Sequence, residues 1–198
     1  MPIQVILYGS FSPSFLNKAA DDAKNRRSVL SYLRGEQKDG SANRKDCDFC
    51  SVIALEIEDT GTHIITCIGI AFEVRKSDSE IKKFVYFSHS GKMPESEYLT
   101  EQGVCYSNQE IKKLVSARTK SDDNRGKGEV NRIYGSKEAY LGTLYDVILG
   151  YIDQNRFITM EKSAIALKMT NGTGQFIRDY MFQKNTSNTI AKIREQLD

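Results

Sequence analysis

The sequence predicts an α+β fold: a mainly antiparallel sheet built on a long central β-hairpin and packed by several amphipathic helices. Two β-branched runs, Ser51 to Glu58 and Thr62 to Arg75, lie either side of Asp59-Thr60-Gly61, a short link ending in glycine of the kind that closes a hairpin. Helix-patterned stretches are grouped on either side of it rather than alternating with strands, which favours α+β over a doubly wound sheet. The chain has 198 residues, 39% hydrophobic and 27% charged, a balance that excludes collagen, extended coiled coil and wholesale disorder. A single domain, residues 1–198, with a flexible polar loop near 119–132 is the expected organisation.

Each element has a local reason. Ile3 to Tyr8 is an apolar run that reads as a short strand. Ser12 before Pro13 suits a helix start, and Leu16, Ala19, Ala20, Ala23, Leu30 and Leu33 share a helical face that Gly35 ends, giving a helix over 13–34. A three-residue turn at 59–61 pairs Ile57 with His63 and Ile53 with Cys67 and leaves Cys50 opposite Ile70, so that Cys50 and Cys67 face opposite sides of the sheet. Ile81 to Phe87 adds a strand. Ser107-Asn108-Gln109-Glu110 fits a capping box and predicts a helix over 108–118 buried along Ile111, Leu114 and Val115. Ser136 caps an amphipathic helix running to Asp153, with Leu141, Leu144, Tyr145, Ile148 and Ile152 inward. Phe157 to Met160 reads as extended. Helical patterns return at 175–183 and 188–197.

No apolar run approaches the roughly 18 residues needed to cross a bilayer, and no secretory leader is visible, so a cytoplasmic location without membrane attachment is expected. Residues 1–45 hold eight basic side chains against four acids, while the remainder holds twenty against twenty-two. That asymmetry is compatible with an anionic partner, a nucleotide or nucleic acid.

Two glycine-bearing turns are the candidate binding sites. Ser88, Ser90, Gly91 and Lys92 follow the strand ending at Phe87, where hydroxyls, backbone amides and an ammonium can hold a phosphate. His89 sits among them and is the candidate catalytic acid or base, since imidazole titrates near neutrality. Gly172 and Gly174 open a helix-patterned segment carrying Arg178, a second anion-binding arrangement. The two glycines and terminal Lys-Ser/Thr of a Walker loop are absent.

Cys47, Cys50, His63 and Cys67 have the spacing of a zinc finger, but an extended 62–75 strand scatters them, and neither a metal nor a cofactor is expected. His63 is expected to be a packed core side chain. The functional expectation is recognition, with or without turnover, of a phosphate-bearing ligand at the 88–92 loop. The alternatives are a non-enzymatic protein-interaction module and a thiol-dependent hydrolase or transferase using Cys105 or Cys50.

Overall fold

The computed structural model describes residues 2–12, 27–37, 39–121 and 130–165. The chain divides into two compact units, Met1–Ile158 and Thr159–Asp198. Of the second, only residues 159–165 are described, and they are helical. The helical patterns at 175–183 and 188–197 lie outside the described residues.

The first unit is α+β, as the sequence predicts. Strands β1 (Phe49–Glu58), β2 (Ile65–Val74), β3 (Lys83–Ser90) and β4 (Arg132–Tyr134) form one antiparallel sheet in the order β1-β2-β3-β4. The 51–75 hairpin is therefore not central: β1 is an edge, and β2 and β3 are the interior strands. β3 runs on through Ser90, and β4 arises where a loop is expected from sequence.

Both faces of the sheet are covered. Alternate residues Ile53, Leu55, Ile68, Ile70, Phe72, Tyr86 and Tyr134 face the larger core. That core also takes in α1 (Pro2–Tyr8), α2 (Val29–Arg34), α4 (Lys137–Gly142) and the π-helical segment Thr143–Ile148. The opposite face, with Val52, Ala54, Ala71 and Phe87, packs on Ile111 and Val115 of α3 (Asn108–Ser121). Last comes α5, Gln154–Ile165.

The hairpin register differs from expectation by three residues. Asp59 does not act as the first residue of a three-residue turn: its Oδ1 accepts the amides of Gly61 and Thr62 at 2.8 and 2.9 Å, while its own amide donates to Ile64 O at 2.9 Å. The side chain thus gathers a longer loop, Thr60 to His63, with His63 rather than Gly61 in the left-handed region at φ 56°. Ile57 consequently pairs with Thr66, and Ile53 with Ile70. An odd shift exchanges faces. Cys50 and Cys67 therefore share a face, opposite Glu73 and Glu56 respectively, and are separated along the sheet by six residues, roughly 20 Å. Length, not facing, keeps these two sulfurs apart. His63 is exposed at the loop, its Nδ1 3.0 Å from Glu58 Oε1, not packed in a core.

Three further elements depart from the sequence reading. Residues 2–8 form a helix because an unbroken apolar run is ambiguous between strand and buried helix, and here Gln4 to Tyr8 are buried together. The expected 13–34 helix is interrupted at its C-terminal part: Ser28 is extended and its Oγ accepts the Ser31 amide, so a new helix starts at Val29 and ends, as expected, on left-handed Gly35. Residues 13–26 lie outside the described residues. The helix from Ser136 does start there, its Oγ accepting Ala139 N–H, but it widens at Thr143 and stops at Ile148. Asp153 instead caps α5 through the Arg156 amide at 2.7 Å, so Phe157 to Met160 are helical and not extended.

Tyrosines tie the larger core together. Tyr86 donates to Gly9 O at 2.7 Å and Tyr145 to Leu7 O at 2.9 Å, satisfying carbonyls at and just beyond the end of α1. Tyr140 stacks on Tyr86 at 4.6 Å between centroids, yet its buried hydroxyl has no partner among the described residues. An unpaired buried hydroxyl costs its desolvation, whereas removing one partner of a made bond strands the other. Tyr140→Phe is expected to stabilise the protein by about 1 kcal/mol and Tyr86→Phe to destabilise it by about the same. Thermal unfolding of both variants checks the pair, and destabilisation by Tyr140→Phe would refute the assignment.

Candidate functional site

At the open end of the β2–β3 pair lies a cleft of about 580 Å³. The hairpin loop supplies Asp59, Thr62 and His63, β2 supplies Thr66, and the end of β3 supplies Ser90, Gly91 and Lys92. Ile57, Ile64, Val147 and Ile148 form an aliphatic wall. The last two come from the π-helical segment, whose wider i→i+5 turn, seen in Leu149 N–H to Leu144 O at 2.9 Å, is a geometry found mostly in short insertions at functional places. Three of the residues picked from sequence therefore do meet in one concavity.

The geometry at Gly91 follows from the sheet. β3 ends there, its φ of 74° needs a glycine, and a Cβ would stand 2.9 Å from the Arg118 guanidinium. Its amide is already used, donating to Ile65 O at 2.8 Å, and the Ser90 amide donates to Asn131 Oδ1 at 2.8 Å. The expected backbone cradle for a phosphate is thus closed, and a ligand would be met by side chains. Lys92 is exposed at the cleft and makes no ion pair with a described residue. The amides of Thr62 and Gly61 hold the Asp59 carboxyl below its ordinary range. The cleft therefore presents an ammonium, hydroxyls and one fixed carboxylate against aliphatic carbon.

Ser88 and His89 lie inside the sheet, not in a loop beyond it, and both are fully buried. Ser88 Oγ donates to Val130 O and accepts from the Tyr134 hydroxyl, 2.6 Å away. His89 points to the α3 face. Its Nδ1–H donates to Ser90 O at 2.9 Å, which leaves Nε2 to accept from the Tyr98 hydroxyl at 2.9 Å. Tyr98 also approaches Cys67, the cross-strand partner of His89. Burial pushes the Cys67 thiol up to about 11 and lowers the His89 imidazole. Both are neutral at physiological pH, so this pair is not a thiolate–imidazolium nucleophile. His89 does not line the cleft. Burial likewise raises the thiols of Cys50 and Cys105. Gly172, Gly174 and Arg178 lie outside the described residues.

Asp59, Thr62, Thr66, Val147 and Ile148 are among the cleft residues that sequence reasoning misses. A signal exists for the first two, since an Asp followed by Thr-Gly-Thr is chemistry for a side-chain-closed turn. Among the described residues, no three or more His, Cys, Asp or Glu side chains come together to hold a metal, and no helix is long and apolar enough to cross a membrane. No protein-family model, curated protein or solved structure matches the chain.

Proposed function

We propose that the cleft binds a small phosphate-bearing ligand of nucleotide size. The observation that supports this reading is the convergence of Ser90, Gly91 and Lys92 with Thr62 and Thr66 in one concavity of about 580 Å³, within the range typical of small-molecule sites. Lys92 is the counter-ion to the phosphate, acting as a flexible point charge. The Thr62 and Thr66 hydroxyls supply donors where the amides are occupied. The aliphatic wall of Ile64, Val147 and Ile148 takes the less polar part of the ligand. In this reading His89 is a positioning residue: through Ser90 O it fixes the carbonyl immediately before Gly91.

Equilibrium binding of fluorescently labelled ATP, competed with unlabelled ATP and with inorganic phosphate, tests the proposal. Lys92→Ala is expected to weaken binding about tenfold, the equivalent of ~1.4 kcal/mol, and to flatten its dependence on salt. Absence of competable binding, or equal affinity in the wild type and the variant, would sink it.

A further inference from the structure

The loop that closes the β1–β2 hairpin holds an imidazole at the cleft in a conformation that costs energy to keep. His63 lines the cleft with its backbone in the left-handed region, φ 56°. Residues with side chains adopt that region only where their surroundings hold them, and such positions gather at functional sites. Two groups do the holding here. The His63 amide donates to Asp59 O at 2.7 Å, and the ring Nδ1 lies 3.0 Å from Glu58 Oε1. A carboxylate only accepts, so Nδ1 carries the hydrogen of the neutral ring and the lone pair is on Nε2, which makes no hydrogen bond with a described residue. Lys92 is brought to the same end of the sheet by two backbone anchors. Gly91 N–H donates to Ile65 O at 2.8 Å, and Met93 N–H donates to Glu56 Oε2 at 2.7 Å. One concavity thus holds an oriented base and an ammonium.

We propose that the cleft hydrolyses the terminal phosphate anhydride of a nucleoside triphosphate, with His63 as general base and Glu58 as the positioning residue that orients it; the proposal rests on the reading of the cleft as a phosphate site. Nε2 of His63 accepts a proton from a water molecule as the water oxygen attacks the terminal phosphorus. The new P–O bond forms, the bridging P–O bond breaks, and its electron pair leaves with the nucleoside diphosphate. The imidazolium, paired with the Glu58 carboxylate, then gives its proton to solvent. Triphosphate and water become diphosphate, inorganic phosphate and a proton, with nothing oxidised or reduced. An anhydride suits the site better than an alkyl ester. A diphosphate leaves as a stable anion, whereas an alkoxide needs a proton, and Asp59, whose carboxyl is held below its ordinary range, has none to give at neutral pH. His89, the other histidine of the chain, is fully buried and does not line the cleft.

The test uses the whole protein with ATP and reads release of inorganic phosphate beside equilibrium binding of labelled ATP. His63→Gly is the informative variant, because glycine accepts a φ of 56° and leaves the loop as it is. It is expected to lower kcat about 100-fold while ATP binding stays within about threefold of the wild type. Imidazole added to the solution is expected to restore its turnover. Glu58→Ala is expected to lower kcat about fivefold, the most that an exposed ion pair is worth, with KM unchanged. ATP that binds without release of phosphate, undiminished turnover in His63→Gly, or no rescue by imidazole overturns this proposal and leaves the binding reading standing. Absence of ATP binding removes both.

Discussion

Gly69→Ala is expected to lower the melting temperature by about 6–12 °C, corresponding to ~3 kcal/mol for a chain of this size. Gly69 lies in the interior strand β2, between Ala54 of β1 and Phe87 of β3. A Cβ there would stand 2.9 Å from both Cα and Cβ of Ala54 and closer still to Ile53 O. The obstructing atoms are mostly backbone of a paired strand, so no rotamer change relieves the overlap and β1 must move away from β2. Separation of the strands weakens ladder bonds and opens the packing of Val52 and Ala54 on the α3 face. Gly135→Ala is the control, since nothing lies within 4 Å of its added Cβ, and it is expected to melt close to the wild type. Equal melting temperatures for Gly69→Ala and the wild type would mean that the β1–β2 spacing is not set by this contact.

The second large effect is pH dependence from His89. In the native protein its imidazole is neutral, with Nε2 accepting from Tyr98. The groups that bear on it are Tyr98, Cys67 on β2, Glu56 on β1 and Arg118 on α3. Protonation deletes the acceptor that Tyr98 uses and places a cation in a desolvated site near a guanidinium. Burial, the largest cause, lowers the folded-state value, whereas the unfolded chain titrates near the ordinary value of about 6.5. The unfolded state therefore binds the extra proton first. Stability is unaffected well above pH 6.5 and falls as pH drops through it, by up to about 1.4 kcal/mol per pH unit. Denaturant midpoints of the wild type and His89→Gln between pH 7.5 and 5 isolate the contribution. The wild-type midpoint should fall more steeply, and parallel profiles would refute the assignment even if the variant is less stable throughout.

What could be read from the sequence was local. The Ser107–Glu110 capping box, the Ser136 cap and the Gly35 stop all appear as expected, because each needs only residues within one turn. The hairpin itself was legible from two β-branched runs. Its register was not, since the Asp59 carboxylate organises its own loop and moves every pairing by three. The identity of residues 2–8 as a helix depended on the burial of Gln4 to Tyr8 together, which an apolar run cannot announce. β4, only three residues long, exists because Arg132, Ile133 and Tyr134 pair with Ser88, Phe87 and Tyr86, partners more than forty residues away in sequence. The candidate site divides in the same way. Ser90, Gly91 and Lys92 stand together in the chain and could be picked as a unit. The facing wall requires both the true hairpin register and the widened turn at Thr143–Ile148.

That widened turn has a consequence for how the molecule tolerates change in its gene. Loss of a single codon between Thr143 and Ile148 lets the segment wind as ordinary α-helix, in which each residue advances about 100° around the axis. Everything before the deletion keeps its place, including the Ser136 cap and Tyr140. Four ordinary helical steps turn through about the same angle as the five wider steps from Thr143 to Ile148, so the end of the segment keeps its facing and only moves closer to the Ser136 cap. The widened turn therefore holds one residue more than an ordinary helix needs there, and a minimal in-frame deletion shortens the segment without turning its end away from the cleft.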